Sequence, residues 1–183
     1  KTADGEQTLL PELPVLKDEV IDGTFMSAKA LDEFLLAQVK RAQEEGVLFS
    51  THLKATMMKV SDPILFGHVV RAYFHDVFDK YGDELIEAGL NGENGLGHIL
   101  ENLDKLDNGD EIEKAFDKAQ EDGAPLAYVN SHKGITALHV PSDVIVDASM
   151  PAMMKTGGQM WNKNDETQDA LAIIPDSSYA GVY

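Results

Sequence analysis

Apolar positions along this chain recur at two different periods, and the alternation between them predicts helices interrupted by short strands. Ser27 is a good N-cap; Leu31, Phe34, Leu35, Val39 and Ala42 then recur at helical spacing until Gly46 closes the element. Residues 47–53 read as a short, β-prone strand. Ser61-Asp62-Pro63 marks a second helix start, with a cap candidate, an acid and a proline in the first turn. Phe66, Val69, Val70, Tyr73, Phe74, Val77, Phe78 and Tyr81 share one face, which predicts one long helix ended by Gly82. Shorter helices are predicted over 84–88, 96–106 and 110–121, separated by glycine-containing turns. Strands are predicted over 126–129 and 135–140, and over 170–174 and 179–183 around a turn at Pro175-Asp176. Another helix should open near Asp143, be kinked or restarted by Pro151, and end at Gly157-Gly158. Residues 19–26 give a weaker strand pattern broken by Gly23, and 1–17 a leading loop or short edge segment. Strands alternating with helices predict an α/β architecture, with no internal repeat and no linker long enough to divide it.

The chain of 183 residues is 43% hydrophobic and 26% charged, enough to bury a real core as one domain or one piece of a larger one. Lys+Arg total 15 against 32 Asp+Glu, a net charge of −17. Such a chain repels phosphate backbones and anionic membrane surfaces, so no nucleic-acid or membrane partner is expected. The charge is uneven: between Asp83 and Asp122 stand 13 acids and 3 lysines, which carry −10 of the −17. That stretch reads as an acidic helical subregion with a solvated surface. The absence of cysteine excludes disulfides, zinc–thiolate sites and thiol nucleophiles. No apolar run approaches the ~20 residues of a membrane span, no signal peptide is visible, and a cytoplasmic location is expected. The chain starts at Lys1 without an initiator Met and stops in the apolar stretch 179–183. A fragment of something longer and a processed, ragged chain fit these ends equally.

Several motifs fail on spacing. The glycines of 91–97 are in the wrong order for a dinucleotide loop, and Glu93 would repel a phosphate; a tight turn into a helix is expected. With Gly109 in the sixth position of a calcium loop, the third would be Leu106 and the twelfth Ala115, neither of them a ligand. No histidine pair has the spacing of a metalloprotease; His68, Arg71 and His75 should share the polar face of the long helix. Met57-Met58 and Met153-Met154 read as core filler.

Two segments stand out chemically. Residues 52–63 join the carboxyl end of a strand to a helix N-terminus, where open α/β folds bind ligands. Lys54 sits just past that strand, placed to bind an anion or to move a proton; by position alone a surface lysine beside a well-capped helix is the simpler reading. In 140–151, Ser142 should cap the helix and Asp143 should gain from its dipole, whereas Asp147 lies among Val144, Ile145, Val146, Ala148 and Met150. An acid in so apolar a setting must be paired, hydrogen-bonded or bound to a metal such as Mg²⁺ or Mn²⁺. Asp143 and Asp147, one helical turn apart, could then face one cleft.

These segments resemble the monomeric-type NADP-dependent isocitrate dehydrogenases, and the resemblance covers essentially the whole chain. It is strongest in 52–63 with Phe66-Gly67-His68, in Asn94-Gly95-Leu96-Gly97, in Lys133-Gly134-Ile135-Thr136 with 138–152, and in Ile174-Pro175-Asp176 with 179–183. The Lys-x-x-x-Met-Lys run at 54–59 and the Asp-Val-Ile-x-Asp run at 143–147 also echo the dimeric enzymes, although Thr56 stands where those usually carry an Asn. The resemblance implies that Lys54 is the catalytic acid–base lysine and Asp147 a ligand of the catalytic Mg²⁺ or Mn²⁺. It implies oxidative decarboxylation of isocitrate with NADP, a step of the tricarboxylic acid cycle. It further implies that this chain is an internal piece of the large catalytic domain, inactive alone. The tricarboxylate arginines, other metal aspartates, a catalytic tyrosine and most NADP contacts would lie in the rest of the parent chain. Tyr179 and Tyr183 do not occupy the motif of that tyrosine. The alternative is a stand-alone, non-catalytic acidic interaction module that keeps the fold.

Overall fold

A computed structural model describes residues 14–20, 25–54 and 61–174. Helix α1 (Ala28–Glu45) runs between the expected signals: the Ala30 N–H donates to Ser27 Oγ at 3.3 Å, and Gly46 ends it at φ 66°. A left-handed residue there suits glycine, which has no Cβ to clash. Strand β1 (Leu48–Thr51) follows and is buried along its whole length. After helices α2 (Asp62–Tyr73), α3 (His75–Glu87), α4 (Gly95–Leu100) and α5 (Gly109–Asp122) come strands β2 (Tyr128–Asn130) and β3 (Ile135–Thr136), helix α6 (Val146–Lys155), and strands β4 (Gln159–Trp161) and β5 (Thr167–Ile173). The α/β class is as predicted.

The main sheet has the order β1-β5-β4. β1 lies parallel to β5, with Leu48 opposite Ala170 and Thr51 opposite Ile173, while β4 runs antiparallel to β5. β2 and β3 form a separate antiparallel pair. One core joins α1–α5 to the β1 side through Leu35, Phe49, Phe66, Phe74, Leu85 and Phe116. A smaller one gathers Leu48, Ala127, Ala137, Val144, Met153 and Met160 beneath α6. Met153 is thus core filler, but Met154 is 60% exposed; Met57 and Met58 lie outside the described residues.

The predicted long helix is two helices. It breaks at Phe74 (φ −99°, ψ 32°), so His75 stands on a different helix from His68 and Arg71. The Phe74 ring is buried edge-on between Tyr73 and Phe116, with centroids 4.7 and 5.0 Å away, and the break turns α3 onto α5 around that cluster. Gly82 does not end the helix. A helical glycine costs about 1 kcal/mol relative to alanine, less than the roughly 2 kcal/mol from burying Leu85 on the next turn. The predicted helix over 96–106 divides into α4 and a single 3₁₀ turn at Leu103–Lys105.

The strand predicted over 126–129 shifts to 128–130, with Leu126 bridged to Phe49, and that over 135–140 stops at Thr136. The carbonyls of Leu138 and His139 instead accept the Leu96 and Gly97 N–H groups at 2.9 and 3.0 Å. β5 begins three residues before the predicted strand over 170–174. Of the strand expected over 19–26, Glu19, Val20, Phe25 and Met26 lie in none, and 21–24 fall outside the described residues, as does the strand expected over 179–183. None of the 13 acids between Asp83 and Asp122 is buried, which agrees with a solvated acidic surface.

Candidate active site

The backbone just past β1 is held against the segment that leads into α6. Leu53 forms a parallel bridge with Ile145: its N–H donates to the Val144 carbonyl at 3.4 Å, and its carbonyl accepts the Val146 N–H at 3.1 Å. Two consequences follow from this one contact. Ile145 must stay extended (φ −81°, ψ 119°), so α6 begins at Val146 and not near Asp143, and no side chain caps it. Asp143 and Asp147 therefore do not share a helical turn. The bridge also brings Lys54 beside Asp147, residues 93 positions apart in sequence.

The Lys54 ammonium forms an ion pair with Asp147 Oδ2. The Lys54 side chain is 24% exposed and that of Asp147 47% exposed. Val144 and Val146 turn inward and are buried, which leaves Asp147 turned outward. Its apolar neighbours in sequence are thus not its surroundings in space, and of the partners expected for it, pairing is the one present. Asp147 also stands in the first turn of α6, where the helix dipole favours a carboxylate. Pro151 lies inside α6, so of the expected kink or restart the restart does not occur. A proline at that position removes only one intrahelical bond, the one to the Asp147 carbonyl.

Behind the pair lies His52, a residue to which sequence reasoning gave no role. Its N–H donates to the Ile173 carbonyl at 2.8 Å, which extends the β1–β5 pairing by one residue. Its ring is fully buried, and Nδ1 is 2.7 Å from Ser149 Oγ on α6. Burial lowers its pKa to about 4, so the imidazole is neutral at physiological pH. The signal available in the sequence was a histidine inside a run otherwise typical of a buried strand.

An open cleft of about 400 Å³ is lined by Leu48, Pro125, Leu126, Tyr128, Asn162 and Gln168. Another, of about 440 Å³, lies between α1, α3 and α5. Neither includes Lys54 or Asp147. Among the described residues no three His, Asp or Glu side chains converge to hold a metal ion. Asp147 fits a divalent cation as one carboxylate ligand, and the remaining oxygens would have to come from elsewhere.

A family model described as "Monomeric isocitrate dehydrogenase" matches residues 1–183. The chain belongs to the monomeric isocitrate dehydrogenase family. An isocitrate dehydrogenase (NADP) of Corynebacterium efficiens is 73% identical over 182 residues, 99% of this chain and 25% of that protein. A second, from Corynebacterium glutamicum, is 70% identical over 182 residues with the same coverage. One from Azotobacter vinelandii is 46% identical over 183 residues, 98% of this chain and 25% of its own length. The chain thus spans about a quarter of the length of the curated relatives it matches.

Other runs that carry the family resemblance have structural explanations. At Gly67, a Cβ would stand 2.7 Å from Glu93 Cγ, so the residue lets α2 lie against the 3₁₀ turn Gly92–Asn94. At Gly95 (φ +88°), a Cβ would stand 2.1 Å from the His139 carbonyl oxygen. The glycines of 92–97 therefore serve close backbone approach, in keeping with the tight turn expected from sequence. His139 Nδ1 accepts the Thr136 N–H at 3.0 Å. Burial lowers the His139 pKa, and the charges of Asp143 and Glu101 oppose the shift. No helix among the described residues is long and apolar enough to cross a membrane.

Proposed function

We infer that this chain is a segment of an NADP-dependent isocitrate dehydrogenase, part of its large catalytic domain, and that Lys54 and Asp147 are its contributions to the active site. The observation that carries the reading is their convergence: two residues singled out separately, on segments far apart in sequence, meet in one ion pair at the carboxyl end of β1. The substrate is isocitrate, the hydride acceptor NADP and the reaction oxidative decarboxylation, assignments that the relatives' names and the family support; a cytoplasmic location belongs to the same proposal.

In this reading Lys54 presents a half-buried ammonium to the substrate. It holds or moves the proton at the hydroxyl that is oxidised and balances the charge left when CO₂ departs. Asp147 orients that ammonium, and its carboxylate would be this chain's ligand to a divalent cation. The cation, Mg²⁺ or Mn²⁺, supplies Lewis-acid polarisation of the substrate oxygens. The remaining metal ligands, the arginines that clasp the tricarboxylate and most of the NADP site belong to the rest of the parent chain, so the 183-residue piece alone is inactive.

The test uses the full-length protein. Lys54→Met should lower kcat by about 10²–10⁴ with little change in melting temperature. Asp147→Asn should raise the Mn²⁺ concentration needed for half-maximal activity. Near-wild-type behaviour of both variants would overturn the site assignment. Isocitrate turnover by the isolated 183-residue chain would overturn its predicted inactivity.

A further inference from the structure

Residues 52–54 touch the opening of α6 in three successive ways. His52 Nδ1 reaches Ser149 Oγ at 2.7 Å, Leu53 makes its two backbone bonds to Val144 and Val146, and Lys54 pairs with Asp147. The reactive pair is the partly exposed end of this seam, and the His52–Ser149 contact is its buried end. Of the two backbone bonds of the bridge one is ordinary at 3.1 Å and one long at 3.4 Å, and the His52–Ser149 contact at 2.7 Å is shorter than either.

The second ring nitrogen of His52, Nε2, is buried and has no hydrogen-bond partner among the described residues. A neutral imidazole has one N–H to place. Given the choice, the ring does best to direct it from Nδ1 to the Ser149 hydroxyl, because a buried donor without a partner costs more than an idle lone pair. Ser149 is two residues beyond Asp147, on the inward side of the same first helical turns; its N–H donates to the Ile145 carbonyl at 2.9 Å.

We propose that His52 and Ser149 are positioning residues for the Lys54–Asp147 pair: their buried hydrogen bond fixes the register of the β1 end on α6 and so sets where the ammonium and carboxylate stand. The proposal rests on the reading that Lys54 and Asp147 are the reacting pair. Neither His52 nor Ser149 touches substrate in it. A misplacement of about 1 Å in a catalytic constellation lowers turnover by up to roughly 100-fold, so a lost clamp should be visible in kcat.

The experiment is steady-state kinetics on full-length Ser149→Ala, Ser149→Thr, His52→Asn and Lys54→Met, each with its melting temperature. Ser149→Ala removes one hydroxyl from a half-buried site and is the variant most certain to fold. It should lower kcat about ten-fold or more while KM for NADP changes less than about two-fold. Ser149→Thr and His52→Asn, which keep a hydroxyl and a short-reach donor, should each lose less kcat than Ser149→Ala. A Ser149→Ala kcat equal to wild type, beside an inactive Lys54→Met, overturns the clamp and leaves the site reading standing. Equal losses of kcat and melting temperature in Ser149→Ala and Ser149→Thr show a packing role and overturn it as well. An active Lys54→Met removes the site reading, and the clamp with it.

Discussion

Replacing Gly95 by alanine tests the fold where it supports the site, because Gly95 is the point at which α4 meets the loop that leads from β3 toward Asp147. Gly95 has φ 88° and ψ 168°, a region open essentially only to glycine, and an alanine held there costs about 1–3 kcal/mol. The new Cβ would stand 2.1 Å from the His139 oxygen and 2.7 Å from its carbonyl carbon. Both are backbone atoms and cannot rotate aside, so the loop must retreat by about 1 Å or more to reach ordinary contact distance. That retreat breaks the Leu96 N–H bond to Leu138 O at 2.9 Å and the Gly97 N–H bond to His139 O at 3.0 Å. The two N–H groups left unpaired cost about 1–3 kcal/mol each, which with the strain gives a total of roughly 3–9 kcal/mol. This is a large share of the ~5–15 kcal/mol that stabilises a typical domain.

Two other substitutions separate the causes. Gly134→Ala meets a milder, left-handed backbone (φ 70°, ψ 15°) with no atom within 4 Å of the new carbon, so it should cost only that strain, about 1–2 kcal/mol. At Gly97, φ is not positive and the nearest atom is the His139 oxygen at 3.2 Å, so Gly97→Ala should gain about as much helix propensity as it loses in crowding and stay within about 1 kcal/mol of wild type. Hydrogen exchange of the full-length protein, read on peptides spanning 94–101 and 136–141, reports the local opening free energy directly. A Gly95→Ala loss no greater than that of Gly134→Ala would show that α4 and the 138–139 loop do not meet as described.

The other predictions concern buried polar groups. His52 titrates near 4 when folded and near 6.5 when unfolded, so below pH 6.5 the unfolded chain binds a proton that the native chain refuses. Its contribution is intact above about pH 6.5, falls by ~1.4 kcal/mol per pH unit below that, and levels off below about pH 4 after ~3 kcal/mol. NMR titration of the histidine carbons in the full-length protein checks this, and a His52 midpoint at or above about 6.5 would refute it. Tyr73 donates to the buried Ala124 carbonyl at 2.5 Å, and burial raises its pKa, so the phenol stays protonated. Tyr73→Phe should destabilise by about 1–2 kcal/mol, because the carbonyl loses its partner. An unchanged melting temperature would mean that water or another donor replaces the hydroxyl.

Much of the architecture was legible without coordinates where local chemistry dictates geometry. Ser27 and Gly46 bound α1 because a hydroxyl can satisfy a free N–H and a glycine can turn left-handed. The acidity of 83–122 required a solvated surface because unpaired carboxylates are too costly to bury. The family, and with it the interest of Lys54 and Asp147, was also readable from runs of residues in order. The break at Phe74 was not, because no glycine or proline marks it; packing against Phe116 decides it. Nor was the late start of α6. Local signals at Ser142 and Asp143 favour a helix there, but the bridge from Leu53 holds Ile145 extended, and the helix starts only at Val146.

That bridge also decided the candidate site. Sequence spacing identifies a lysine past a strand and an aspartate in an apolar run, but it contains no distance between positions 54 and 147. Only a tertiary contact, one strand end hydrogen-bonded to a segment about ninety residues on, joins them and turns the aspartate outward to the ammonium. It also puts His52 behind the pair as a buried neighbour.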